Sequence, residues 1–189
     1  SLTKKCKVGG FVAKKKIKMN LFSQSSIQDT INYLQNYKNE LHAKCDAFVA
    51  RCASIGEEVA LQAINESPIG NSITFRANTT SKDMGCKAVL FATGEVKEVE
   101  GREPFHTVLA VEFGAGIHYN KIPNPKANDF GLGVGTYPGQ IHAFEDGWYY
   151  LGEDNKWHYT HGVKATMPMY KASAEIIAKY KKIAKEVFR

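Results

Sequence analysis

The sequence predicts an α+β fold. A long N-terminal helix and a C-terminal helix would pack on a mainly antiparallel sheet, with a long loop and an aromatic hairpin between them. Three observations predict this. Apolar residues recur at alternating steps of four and three from Ile27 to Val59. The period drops to two from Ile73 onward. The helical period then returns after Pro168.

The chain has 189 residues, enough for one domain with a sizeable core. Its 43% hydrophobic and 23% charged content lies in the globular range. It has no apolar run of membrane-spanning length, and its start is lysine-rich rather than signal-like, so a soluble chain made inside a cell is expected. The cysteines are Cys6, Cys45, Cys52 and Cys86, with no C-x-x-C pair. Cys45 and Cys52 lie ~10 Å apart on one predicted helix, too far for a disulfide, which favours free thiols in a reducing compartment. The net charge of +6 permits attraction to nucleic acid or to an acidic protein surface. The lysines, however, sit mainly at the two ends.

Residues 1–24 read as a basic arm, in which Phe11, Val12 and Ile17 are interspersed with Lys14, Lys15, Lys16 and Lys18. It is either an edge strand guarded by lysines or a tail that orders against a partner. Residues 25–189 read as a single α+β domain. Ser25 and Ser26 are N-cap candidates, with Asp29 completing a capping box. Ile27, Ile31, Leu34, Leu41, Cys45, Phe48, Cys52, Ile55 and Val59 then form a heptad-like seam, broken only by Lys38. Ser67-Pro68 stops this helix. As one rod, residues 27–64 would run ~57 Å, whereas a compact chain of this length has a radius of gyration of about 16 Å. The helix must therefore protrude, and offer its seam to another subunit, or break. A break at Gly56 is the favoured solution.

Ile73, Phe75 and Ala77 alternate with polar residues as a first strand, and Cys86 to Ala92 make a second. Thr107 to Phe113 reads as the third and strongest strand, ending at Gly114. Residues 117–146, rich in Gly and Pro, read as a long loop. Gly147 to Tyr150 and Lys156 to Tyr159 flank Gly152-Glu153-Asp154-Asn155 and read as a hairpin. Pro168 starts the last helix. Its apolar side is Ile176, Ile177, Tyr180, Ile183, Ala184 and Val187. Lys171, Glu175, Lys179, Lys182 and Glu186 make its wet side.

Several patterns touch on chemistry without completing a motif. His158 and His161 are spaced H-x-x-H, with His118 and His142 elsewhere nearby, but no Cys or carboxylate completes a zinc set, and strand geometry sends the two to opposite faces. Cys86 with His106 or His142 is the only thiol–imidazole pair available, and it lies in a strand pattern that favours a core cysteine. Gly131, Gly133 and Gly135 lack phosphate-loop spacing. Trp148, Tyr149, Tyr150, Trp157 and Tyr159 suit stacking, but Glu145, Asp146, Glu153 and Asp154 surround them and argue against phosphate. Cross-strand packing is the favoured role there, followed by a protein-binding patch. No catalytic, cofactor-binding or metal-binding residue is expected.

Val111-Glu112-Phe113-Gly114-Ala115-Gly116 resembles the V-E-F-G-T-G core of the Hong Kong-97-type phage tail-component family. Gly147-Trp148-Tyr149-Tyr150, Trp157-His158-Tyr159-Thr160-His161-Gly162 and Pro168-Met169-Tyr170 resemble the G-W-x-Y, W-x-x-T-x-G and P-F-M segments of its members from Gram-positive hosts. The likeness covers about residues 105–189 well, and residues 25–104 only in pattern. Ala115 departs from the family's Thr and Met169 from its Phe, and the basic arm has no counterpart. The resemblance gives Glu112, Phe113, Gly114, Gly116, Trp148, Tyr150, Trp157, Gly162 and Pro168 structural roles. It implies a non-enzymatic virion protein of the neck or tail, present in the host cytoplasm during assembly. Such a protein would be a homo-oligomeric ring, hexamers favoured, meeting neck and tail-tube proteins. DNA would pass through without sequence-specific binding, and no membrane would be involved. Phe11, Lys15, Ile31, Leu34, Leu41 and Phe48 are then the candidate subunit-interface residues, and the loop 117–146 would face a neighbour or the channel. Two other classes compete: a nucleic-acid-binding module using the lysine-rich termini, and a small hydrolase using Cys86 or the histidines.

Overall fold

The computed structural model describes residues 17–82, 85–98, 104–116, 124–131, 147–152 and 154–189. Phe11, Lys15, His118, His142 and most of the predicted loop lie outside these. The fold is α+β, built from two long helices and small antiparallel ladders. Contacts divide the chain into two units, Ser1–Leu41 and His42–Arg189.

Helix α1 (Gln24–Ile64) runs through both units without a break. In the first unit its cap is Ser23, earlier than the predicted Ser25 or Ser26. The Ser23 carbonyl accepts from Ile27 N at 3.1 Å, and its hydroxyl accepts from Ser26 N at 3.4 Å. The Ser26 hydroxyl is itself engaged by Asn20 N at 2.9 Å, so it is not the cap of the expected box. Gln28–Asn32 and Gln35–Asn39 bonds at i,i+4 support the polar side. Ile31, Leu34, Tyr37 and Leu41 are 53%, 52%, 55% and 42% exposed, so the apolar stripe in this unit is wet.

In the second unit the buried side of α1 is Ala53, Gly56, Ala60, Ala63 and Ile64. This stripe lies one step round from the predicted seam, whose Cys45, Phe48, Cys52, Ile55 and Val59 are only half-buried. Small side chains let the neighbouring elements come close. At Gly56 a Cβ would lie 2.8 Å from Ile176 Cδ1 and 3.3 Å from Leu90 Cδ2. The glycine expected to break the helix therefore sits where strand and C-terminal helix press on it. Contact on both sides holds it helical at a propensity cost of about 1 kcal/mol.

Strands β1 (Thr74–Lys82) and β2 (Gly85–Thr93) pair antiparallel, from Thr74 opposite Thr93 to Lys82 opposite Gly85. Phe75 points inward to a core of Ala60, Ile64, Ile73, Val111 and Ala172, with Leu90 and Ala92 packed against it. A short ladder follows, β3 (Val96–Lys97) with β4 (Phe105–His106).

Residues Thr107–Phe113 form helix α2, not the predicted third strand. A short run rich in Val, Leu and Phe cannot be assigned by periodicity alone. Burial decides it: Thr107, Ala110 and Val111 are sealed at i, i+3 and i+4. The Thr107 amide and hydroxyl both donate to the Glu95 carbonyl, at 3.1 and 3.0 Å, fixing the start of the helix.

The aromatic hairpin forms as expected, β5 (Trp148–Leu151) on β6 (Trp157–Thr160), with Tyr149 opposite Tyr159. Helix α3 (Pro168–Val187) begins with Pro in its first turn, preceded by Met167 at φ 54°. Lys179 and Glu175 pair at 2.6 Å on its wet side. Its buried residues are Pro168, Ala172 and Ile183, whereas Ile177 and Tyr180, predicted for the apolar side, are 66% and 42% exposed. The core contact is therefore narrower than the apolar stripe.

Candidate functional site

The most polar point of the interior is Glu112, which is 7% exposed. Its carboxylate accepts from Asn124 Nδ2 at 2.8 Å, Met169 N at 2.9 Å and Tyr170 N at 3.0 Å. Two of these donors are unpaired amides of the first turn of α3, where the helix dipole favours a negative charge. Glu112 thus caps a helix that begins more than fifty residues later in the chain. Burial pushes its carboxyl above the ordinary range, while the Met169, Tyr170 and Asn124 donors and the Lys171 charge pull it back.

Backbone bonds complete the clasp. Val111 O accepts from Thr166 N at 2.9 Å, and Ala115 and Val163 exchange bonds of 2.9 and 2.8 Å. Gly114 and Gly116 adopt φ of 81° and 67° on the way out of α2, which a side chain would resist. Gly162, at φ 80°, turns the chain from β6 toward this bridge. Phe113 packs its ring 5.3 Å from Phe130. The separate sequence motifs around Glu112, Gly162 and Pro168 are therefore one structural device.

Sequence reading missed Asn124, which stands between two prolines and looks like a plain turn residue. It is 3% exposed, binds both the carboxylate and the main-chain carbonyl of Glu112, and accepts from Lys126 N at 2.9 Å. The available signal was its Pro-flanked position, which restricts the backbone on both sides. Thr166 is also buried, and among the described residues its hydroxyl has no hydrogen-bond partner. Thr166→Val is expected to raise stability by about 1 kcal/mol, read as a higher urea midpoint.

The remaining chemical candidates are dispersed. Cys86 donates weakly to the His42 carbonyl of α1 at 3.9 Å. A hydrogen bond with Asp46, and then burial, push its thiol up, which disfavours the nucleophilic thiolate. His158 bonds Asp154 at 2.8 Å, whereas the ring of His161 packs 4.9 Å from Tyr159 on the other face. Among the described residues no three His, Cys, Asp or Glu groups are placed to hold a metal ion. A shallow depression of about 270 Å³ lies beside Pro68, Ser72, Glu95 and Thr107, away from Glu112.

The proposed contact residues fall into distinct settings. Ile31, Leu34 and Leu41 are exposed on α1. Phe48 is half-buried, its ring 6.0 Å from that of Phe188. Trp148 and Tyr150 lie on β5 opposite Thr160 and His158, and Trp157 is 70% exposed on β6. No helix among the described residues is long and apolar enough to cross a membrane. The chain matches no family model, no curated protein and no solved structure.

Proposed function

We propose that this chain is a structural assembly protein that forms a ring, of the kind that joins capsid to tail in a long-tailed phage. The observation that carries the reading is the exposed stripe of Ile31, Leu34 and Leu41 on an unbroken helix. An isolated helix of this composition is marginal in water, and its apolar side gains by being covered. Covering each of these half-wet side chains is worth about 1 kcal/mol. The resemblance around Glu112, Gly162 and Pro168 supplies the phage setting. The clasp supports a scaffolding role for that motif, because the Glu112 carboxylate is occupied by Asn124 and the first-turn amides of α3. In this reading the ring, a hexamer by preference, sits at the neck or tail end, meets neck and tail-tube proteins, and lets DNA pass without reading it.

Light scattering after size exclusion, at several concentrations, tests this. The expected result is an oligomer that Ile31→Asp with Leu34→Asp converts to monomer without lowering the melting temperature. A chain that stays monomeric alone, and also beside capsid and tail partners, would sink the reading.

A further inference from the structure

The β1–β2 hairpin has one face fixed and one face free. On the fixed face Phe75 enters the core, Leu90 and Ala92 pack against it, and Cys86 reaches the His42 carbonyl of α1. Residues alternate between faces along a strand, and directly opposed residues share one. The other face therefore carries Arg76 opposite Phe91, Thr80 opposite Lys87 and Lys82 opposite Gly85. Arg76, Thr80, Lys82 and Lys87 are exposed, and Phe91 is 47% exposed. Because the fixed face is anchored, the free face is pre-ordered, and an occupant would meet groups already aligned.

The charge of this face is basic. Neither strand contains an Asp or Glu. Among the described residues no ion pair engages Arg76, Lys82 or Lys87. Arg76 and Lys82 lie ~20 Å apart along β1, with Lys87 between them on β2. Unpaired cations spread along a ribbon suit a partner whose anions repeat along a line, which describes a phosphate backbone. The Thr80 hydroxyl and the Asn78 amide add groups that hydrogen-bond phosphate or sugar. Phe91 decides which nucleic acid fits. Its open ring, directly across from a guanidinium, can stack on an unpaired base, whereas the bases of a duplex already stack on one another.

We propose that the free face of β1–β2 binds single-stranded nucleic acid, with Arg76, Lys82 and Lys87 on phosphates and Phe91 stacked on a base. Binding is tolerant of sequence, since phosphate contacts carry none and every base has a face to stack. The site needs only one copy, so it stands whether or not the chain forms a ring.

Fluorescence anisotropy of a labelled oligothymidylate of about 12 nucleotides, titrated with the full chain, tests it. Phe91→Ala is expected to weaken binding about tenfold with the salt slope unchanged, and Phe91→Tyr to keep the parental affinity. Replacing Arg76, Lys82 and Lys87 together by Ala is expected to lower the slope of log affinity against log salt by about 2, at ~0.7 per phosphate contact on a single strand. These positions are exposed, so urea midpoints are expected to stay at the parent's. Photo-cross-linking of the parent to a strand carrying 5-iodouracil gives a readout without substitution, and an adduct on Phe91 is expected. Replacing Lys14, Lys15 and Lys16 by Ala separates the other basic segment, which can attract the same strand. Binding that depends on those lysines alone, or adducts found only away from Phe91, would overturn the proposal. A duplex of equal length bound as tightly, with Phe91→Ala without effect, would overturn it too. Displacement of the strand by polyglutamate, again indifferent to Phe91, would assign the face to an acidic protein instead.

Discussion

Glu112→Ala is expected to cost about 3 kcal/mol of stability, read as a fall in urea midpoint. The change empties a buried site and strands three donors at once: Asn124 Nδ2 and the amides of Met169 and Tyr170. Each buried donor left unmet costs about 1–3 kcal/mol, offset in part by water reaching the helix end. Glu112→Gln keeps the shape but turns an NH2 group toward an amide donor, so about half that loss is expected. An exposed control such as Glu58→Ala should fall within about 0.5 kcal/mol of the parent. A Glu112→Ala protein as stable as the parent would mean that the clasp does not hold α3.

The same residue gives a pH signature. Its carboxyl is raised in the folded state, with burial as the first cause, so the folded chain binds its proton more tightly than the unfolded chain. Its contribution is fully present below the unfolded value of about 4.3 and is lost as pH rises through the folded value. The stability of the parent relative to Glu112→Gln should therefore fall from pH 4 to pH 7, values chosen to be about 0.3 below and well above that reference. Comparing the two proteins cancels the other carboxylates. A flat difference would show that the three donors balance the burial.

Gly56 carries the second large effect, and a short series reads it. Gly56→Ala adds one methyl whose nearest neighbour, at 2.8 Å, is the tip of Ile176, which can swing aside. The helix-propensity gain of about 1 kcal/mol offsets that repacking, so a near-neutral result is expected. Gly56→Val adds a branched side chain that also meets Leu90 Cδ2, and a loss of about 2–3 kcal/mol is expected. A stable Gly56→Val protein would mean that α1, α3 and β2 do not meet tightly there.

Particular residues show what was legible in advance. Ser67-Pro68 ended α1 and Pro168 opened α3 because proline acts through its own ring and needs no tertiary partner. Alternation at Ile73, Phe75 and Ala77 marked β1, since a half-buried strand prints its period on the sequence. The run 107–113 misled because its apolar residues suit strand and helix alike. The choice depends on Val111 entering the core while Glu112 turns to α3. The seam was misplaced by one step beyond His42 because alanine and glycine carry little hydrophobic signal. At a close crossing, however, their lack of bulk makes them the buried residues. Asn124 was hidden because its partner, Glu112, adjoins it only in space.

By itself, then, the sequence determined the class of fold, the end of α1, the start of α3 and the aromatic hairpin. Those follow from local sterics and from periodicity, which act over a few residues. Tertiary structure alone decided that α2 is a helix, that α1 passes Gly56 unbroken and that Glu112 caps α3. Each of those outcomes is set by a contact between residues far apart in the chain, and no short window of sequence contains both partners.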